Sequence, residues 1–152
     1  SAIHQAEIVL TVTSAFEPII EPEHLRPGAI VCDVARPRNV SRRVADRRAD
    51  VLVIEGGIVD LPGAVDFGFN FGFPPGKAYA CMAEAVILAL EGRFEPFTLG
   101  REIPIEKVKE IDLLAAKHGV RLTGFRSFER PVTEEQIAAV RDRAQVARKR
   151  GL

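Results

Sequence analysis

Gly28-Ala29-Ile30-Val31-Cys32-Asp33-Val34 follows a proline-glycine turn at Pro27-Gly28 and places apolar, largely β-branched residues side by side instead of in alternation. Near-continuous apolar runs mark strands buried on both faces, as in parallel sheets. Ala6-Glu7-Ile8-Val9-Leu10-Thr11-Val12-Thr13 precedes this run, and Asp50-Val51-Leu52-Val53-Ile54-Glu55 follows it and enters Gly56-Gly57. Between the first two lies Pro22-Glu23-His24-Leu25, read as one helical turn. Between the last two lies Val40-Ser41-Arg42-Arg43-Val44-Ala45, read as a short helix or an extended connector. Apolar strands about twenty residues apart predict a parallel α/β sheet, not an antiparallel sandwich.

After residue 74 the pattern becomes helical. Pro74-Pro75-Gly76 opens an expected helix with Tyr79, Met82, Val86, Ala89 and Leu90 on one apolar face, closing at Gly92. A second is expected from Pro104, at the first helical position, to Lys117-His118-Gly119. The third starts at Thr133-Glu134-Glu135-Gln136, a capping-box pattern, and ends in Arg148-Lys149-Arg150, where the helix dipole favours positive charge. A complete doubly wound nucleotide-binding sheet also needs a G-x-G-x-x-G turn to seat the pyrophosphate. The chain has none; Gly68-Phe69-Asn70-Phe71-Gly72 is not one. The expected fold is therefore the second half of a doubly wound, Rossmann-like parallel sheet followed by a helical C-terminal region. Residues 1–73 form the partial NAD(P)-binding segment and residues 74–152 the helical one. Ser1 in place of Met reads as an internal start. The unpaired edge this leaves invites self-association, so a homo-oligomer is possible.

Composition narrows the function. Of 152 residues, 21 are Lys or Arg and 21 are Asp or Glu, so a basic nucleic-acid binder is disfavoured. No apolar run reaches the roughly 18 residues of a membrane span, and no signal peptide opens the chain. Two cysteines are too few for a secreted disulfide framework, which predicts a cytoplasmic protein. No metal site is expected, because His4, His24 and His118 lack ligand spacing. A serine hydrolase would need a G-x-S-x-G elbow, which is absent.

Ligands of open α/β sheets bind beyond the carboxyl ends of the strands. Thr11, Thr13 and Ser14 end the first strand, Asp33 the second, and Gly56 and Gly57 the third. Their hydroxyls and backbone amides could meet a ribose or nicotinamide, and paired glycines admit a flat ring. Each also has a plain structural reading: turn hydrogen bonds for the hydroxyls, a loop-capping carboxylate for Asp33, a bare turn for the glycines. Cys81 is the candidate nucleophile, with Lys77 at i−4 and Glu84 at i+3 on the expected helix. The competing reading is a small buried hydrophobe, and that reading prevails for Cys32 in mid-strand.

Cys32-Asp33 through Pro37-Arg38-Asn39, then Gly56-Gly57-Ile58-Val59, then Tyr79-Ala80-Cys81-Met82-Ala83-Glu84 follow the order found in long-chain acyl-[acyl-carrier-protein] reductases. Phe97-Thr98-Leu99-Gly100-Arg101 and Lys117-His118-Gly119 extend the resemblance to roughly residues 6–122. Asp33 to Val40 also resembles a loop of glutamyl-tRNA reductases and shikimate dehydrogenases, which lack the cysteine helix. The resemblance implies that Cys81 takes the acyl group from a thioester of acyl carrier protein or coenzyme A. NADP is the implied cofactor, and a fatty aldehyde the product. Lys77 and Glu84 would assist. Phe67, Phe69, Phe71 and Phe73 would line an acyl channel or form a β-segment. Without a phosphate cradle, these 152 residues alone are expected to be inactive. Met82 departs from the aromatic expected beside the cysteine, and the stretch after Phe125 lies beyond the likeness. A dehydrogenase relative with a structural Cys81 and a non-catalytic interaction domain are the alternatives.

Overall fold

The computed structural model describes residues 2–149; the expectations placed on Ser1 and Arg150 lie outside the described residues. The chain forms two compact units. One joins the residues up to Gly56 with those from Gly124 onward, and the other is Gly57–Thr123.

In the first unit, β1 (Ile8–Thr11), β2 (Ile30–Asp33) and β3 (Leu52–Glu55) make a sheet in the order β1-β2-β3. Both pairings are parallel, with Val9, Val31 and Val53 in register. The sheet is the parallel one that the apolar runs predicted. Burial on both faces is not what forms, however. Val31 and Val53 are buried with Ile20, Leu25, Val40, Val44 and Phe128, whereas Ile8 and Leu10 on the other face are 71% and 65% exposed.

The connectors pack onto the covered face. Pro22–His24 is a single 3₁₀ turn, and α1 (Arg42–Arg47) is a short helix whose Ser41 hydroxyl accepts the Arg43 N–H. Arg48 pins both to the sheet. Its guanidinium donates to the carbonyls of Pro22 and Leu25 at 2.6 Å each and to both oxygens of Asp50. The returning chain adds a hairpin, β7 (Arg126–Ser127) and β8 (Arg130–Pro131), then helix α4 (Glu134–Lys149). The capping box forms as read: Thr133 N–H donates to the Gln136 side chain, and Gln136 N–H donates to the Thr133 hydroxyl. Gly28 lies under α4, where an added Cβ would stand 2.8 Å from that of Ala144.

The second unit holds an antiparallel sheet that the sequence reading did not anticipate. Its strands are β4 (Ile58–Asp60), β5 (Lys77–Tyr79) and β6 (Arg121–Leu122), in the order β5-β4-β6. The helix expected from Pro75 therefore starts later: α2 is Ala80–Leu90. Lys77, Ala78 and Tyr79 are strand because they pair with Asp60, Val59 and Ile58, which buries Ala78. A division at residue 73/74 would separate β4 from β5, so the compact units do not part there. The end of α2 is as expected, with Gly92 in the left-handed region and the N–H groups of Gly92 and Arg93 closing on Ala89 and Leu88. Helix α3 (Ile105–Lys117) has Pro104 at its N-cap, one position earlier than read. Residues 66–73 are an irregular loop, not a β-segment. Asp66 and Asn70 each accept the N–H of the glycine two residues on, at 2.8 Å. No helix among the described residues is long and apolar enough to cross a membrane.

Candidate functional site

At the carboxyl ends of β1–β3 two of the predicted cofactor residues, Thr11 and Thr13, are drawn to Asn39, which the sequence reading did not number among the site residues. Asn39 is fully buried, and its Oδ1 accepts from the hydroxyl of Thr11 at 2.6 Å, the hydroxyl of Thr13 at 2.9 Å and the N–H of Thr13 at 3.0 Å. Asp33 is buried beside them, and its two carboxylate oxygens accept the N–H groups of Ala35 and Val40 at 3.1 and 3.0 Å. It thus holds the shape of the loop after β2. Burial pushes the neighbouring Cys32 thiol up, and the charge of Asp33 adds to that. Gly56 is required by packing: a Cβ there would lie 2.7 Å from Val34 Cγ2 and 3.2 Å from Cys32 Sγ. Ser14 is exposed at this edge.

Arg38 crosses the same end of the sheet. It donates to Glu55 at 2.7 Å and to Glu129 at 2.9 Å, and its guanidinium lies 5.8 Å from the centre of the Phe128 ring. The Arg38 hydrogen bond holds the Glu129 carboxyl below the usual carboxylate range. Phe128 and Glu129 both have positive φ, 47° and 71°, as the two-residue hairpin turn demands. This anchor unites residues 91 positions apart, so no local signal in the sequence carries it.

The edge fits a dinucleotide incompletely. The hydroxyl protons of Thr11 and Thr13, both oxygens of Asp33 and the space at Gly56 are already committed to the fold. Among the described residues no glycine-rich turn joins a strand to a helix that would receive the phosphates.

Cys81 occupies the second position of α2 and is exposed. Tyr79, the N-cap, makes no side-chain capping bond. The Ala80 N–H is taken by the Gly57 carbonyl at 2.7 Å, which gives Gly57 its place in the second unit. The following amides, those of Cys81 and Met82, belong to the first turn, whose N–H groups have no intrahelical acceptor. They are suited to hold an oxygen that gains negative charge on an acyl group bound at the thiol.

The two predicted helpers sit elsewhere than the helical reading placed them or are engaged. Lys77 is on β5, not on α2, so it does not share a helix face with Cys81. Its ammonium donates to Asp60 of β4 and to the hydroxyl of Thr123, the residue that follows β6. Glu84 is on the Cys81 face of α2, and its carboxylate accepts the hydroxyl of Thr98 at 2.5 Å and its N–H at 3.4 Å. Phe67, Phe69 and Phe73 gather around Phe71, and Tyr79 closes on Phe71 and Phe73 at 6.1 and 5.2 Å between ring centres. No group of three or more His, Cys, Asp or Glu able to hold a metal ion occurs among the described residues.

No protein-family model matches the chain. It is similar to the aminotransferase PigE of a Serratia species, 35% identical over 136 residues that cover 88% of this chain and 16% of that protein. It is also similar to the long-chain acyl-[acyl-carrier-protein] reductase of Synechococcus elongatus, 28% identical over 125 residues that cover 78% of this chain and 36% of that protein. The chain thus spans well under half the length of either relative, and the resemblance to long-chain acyl-[acyl-carrier-protein] reductases is found again by direct comparison.

Proposed function

We propose that the chain is the acyl-accepting portion of a longer NADPH-dependent reductase that converts a fatty acyl thioester to an aldehyde. The observation that carries this reading is an exposed Cys81 on the uncapped first turn of α2, in a chain similar to a long-chain acyl-[acyl-carrier-protein] reductase. The Cys81 sulfur attacks the thioester carbonyl, the carrier leaves as its thiol, and the acyl group stays on Cys81 as a new thioester. The amides of Cys81 and Met82 hold the carbonyl oxygen while it bears charge. Lys77 and Glu84 act as positioning residues: Lys77 fixes the strand that delivers α2, and Glu84 fixes the segment around Thr98. NADPH, when bound, supplies the hydride that releases the acyl group as aldehyde. The carboxyl edge of β1–β3, where Ser14 is exposed, is this chain's share of the surface it meets, with the phosphates held by the rest of such a protein. The carrier is acyl carrier protein or coenzyme A.

The test is intact-mass spectrometry of the longest natural form, mixed with a long-chain acyl thioester without NADPH and digested to locate the adduct. An acyl group on Cys81 is expected, absent in Cys81→Ala and discharged on adding NADPH. A folded protein that gains no adduct sinks the reading. The match to PigE covers too little of that protein to assign its named activity to this stretch.

A further inference from the structure

A cavity of about 430 Å³ that no step above uses is lined on one side by Glu84, Ala85 and Leu88, the first of them three residues along α2 from Cys81. One wall is α2 itself. Cys81, Glu84, Ala85 and Leu88 stand at i, i+3, i+4 and i+7, which places them on one helix face. Helical side chains lean toward the N-terminus, so those of Glu84 and Ala85 lie over the turn that carries Cys81. The α2 wall of the cleft therefore starts about one turn from Cys81 and ends at Leu88, about 10 Å along the axis from it.

The opposite wall is the segment 93–99. Among the bonds that hold it in place, the Thr98 hydroxyl and N–H donate to Glu84, and Lys107 Nζ donates to the Phe97 carbonyl at 2.9 Å. Leu88 and Phe97 are buried at the base, at 6% and 5% exposure. Phe94 and Leu99 stand at the rim almost wholly in water, at 88% and 78%. Two large apolar side chains left exposed at the mouth of an apolar cleft mark a surface that something apolar covers.

We propose that this cleft receives the acyl chain of the thioester and sets the chain length the protein accepts. The inference rests on the reading of Cys81 as the acylated residue. The pantetheine arm of the same substrate is the poorer occupant. Its two amides would need hydrogen-bond partners; Ala85, Leu88, Phe94, Phe97 and Leu99 side chains offer none, and the lining carboxylate of Glu84 is already engaged by Thr98. Arg93 and Glu95, the other charged residues of the lining, are paired with each other, and Arg93 also with Glu110. A methylene chain needs no partner, and each methylene it buries tightens binding about fourfold.

The experiment compares acylation of Cys81 by butanoyl- and hexadecanoyl-coenzyme A in the longest natural form, by intact mass against time. In Ala85→Trp, which fills the cleft, the hexadecanoyl rate is expected to fall at least tenfold while the butanoyl rate stays within about twofold. Phe94→Glu, at an exposed position where folding is not at stake, is expected to show the same selective loss. Equal loss for both substrates, or no loss for either, overturns the assignment. So does a selective loss in Phe69→Ala with none in Ala85→Trp, which would put the chain on the 66–73 loop. If wild type is acylated by neither substrate, the reading of Cys81 fails by itself. The cleft is then judged by calorimetric titration of hexadecanoate into Cys81→Ala and Cys81→Ala/Ala85→Trp. At least tenfold weaker binding in the second upholds it, and equal binding rejects it.

Discussion

Asp33 shows how one carboxylate can shape a loop. Both its oxygens are spent on backbone N–H groups of the following segment, and the residue is 1% exposed. Removing it leaves two buried donors unpaired, each costing about 1–3 kcal/mol. Asp33→Ala is expected to lower stability by about 2–4 kcal/mol, and Asp33→Asn, which keeps one acceptor, by about half as much. Urea unfolding followed by circular dichroism measures both, and an Asp33→Ala midpoint equal to wild type would contradict the assigned role. From the sequence Asp33 was legible as either a loop cap or a cofactor contact, since both need an acid at a strand end. Thr11 and Thr13 were legible as a hydroxyl-rich turn, but their shared acceptor Asn39 lies 26 and 28 residues away and leaves no local trace.

At the scale of elements, caps were readable and strand partners were not. Thr133 and Gln136 sit three residues apart and exchange the bonds their side chains advertise. Thr133→Ala is expected to cost about 1 kcal/mol and to lower the thermal midpoint by a few degrees, with Thr133→Ser restoring most of it. Scanning calorimetry of the three proteins is the check. The start of α2 was misread for a physical reason. Tyr79, Met82 and Val86 fit helical spacing, and nothing local stops the pattern from running back through Lys77. What stops it is β4, whose Asp60, Val59 and Ile58 offer a pairing edge to Lys77–Tyr79. That later start takes Lys77 off the helix and brings Cys81 to the first turn, where amides lack intrahelical acceptors.

Over the whole molecule, the first unit owes much of its connection to one ion pair. Arg48 donates to both side-chain oxygens of Asp50 and also to the Pro22 and Leu25 carbonyls. The Arg48 hydrogen bond holds the Asp50 carboxyl below the usual carboxylate range. A depressed carboxyl adds stability above its unfolded pKa of about 3.9, and that increment is lost as pH falls through the folded value. Asp50→Asn is expected to be less stable than wild type at pH 6, with the difference shrinking below about pH 4. Urea midpoints measured from pH 6 to pH 2.5 test this, and a constant difference would refute it. By itself the sequence determined the three parallel strands, the capping box, the glycine stop of α2, the candidate thiol and the resemblance to an acyl thioester reductase. These rest on the periodicity and chemistry of neighbouring residues, or on motifs that survive as contiguous strings. Only the tertiary structure decided that Lys77 meets Thr123 across 46 residues, that Glu84 meets Thr98 across 14, and that Ile58, Lys77 and Arg121 begin strands of one sheet. Those outcomes depend on which backbone edge or donor is brought near in space, and the identity of a distant partner is not encoded in the local run of either residue.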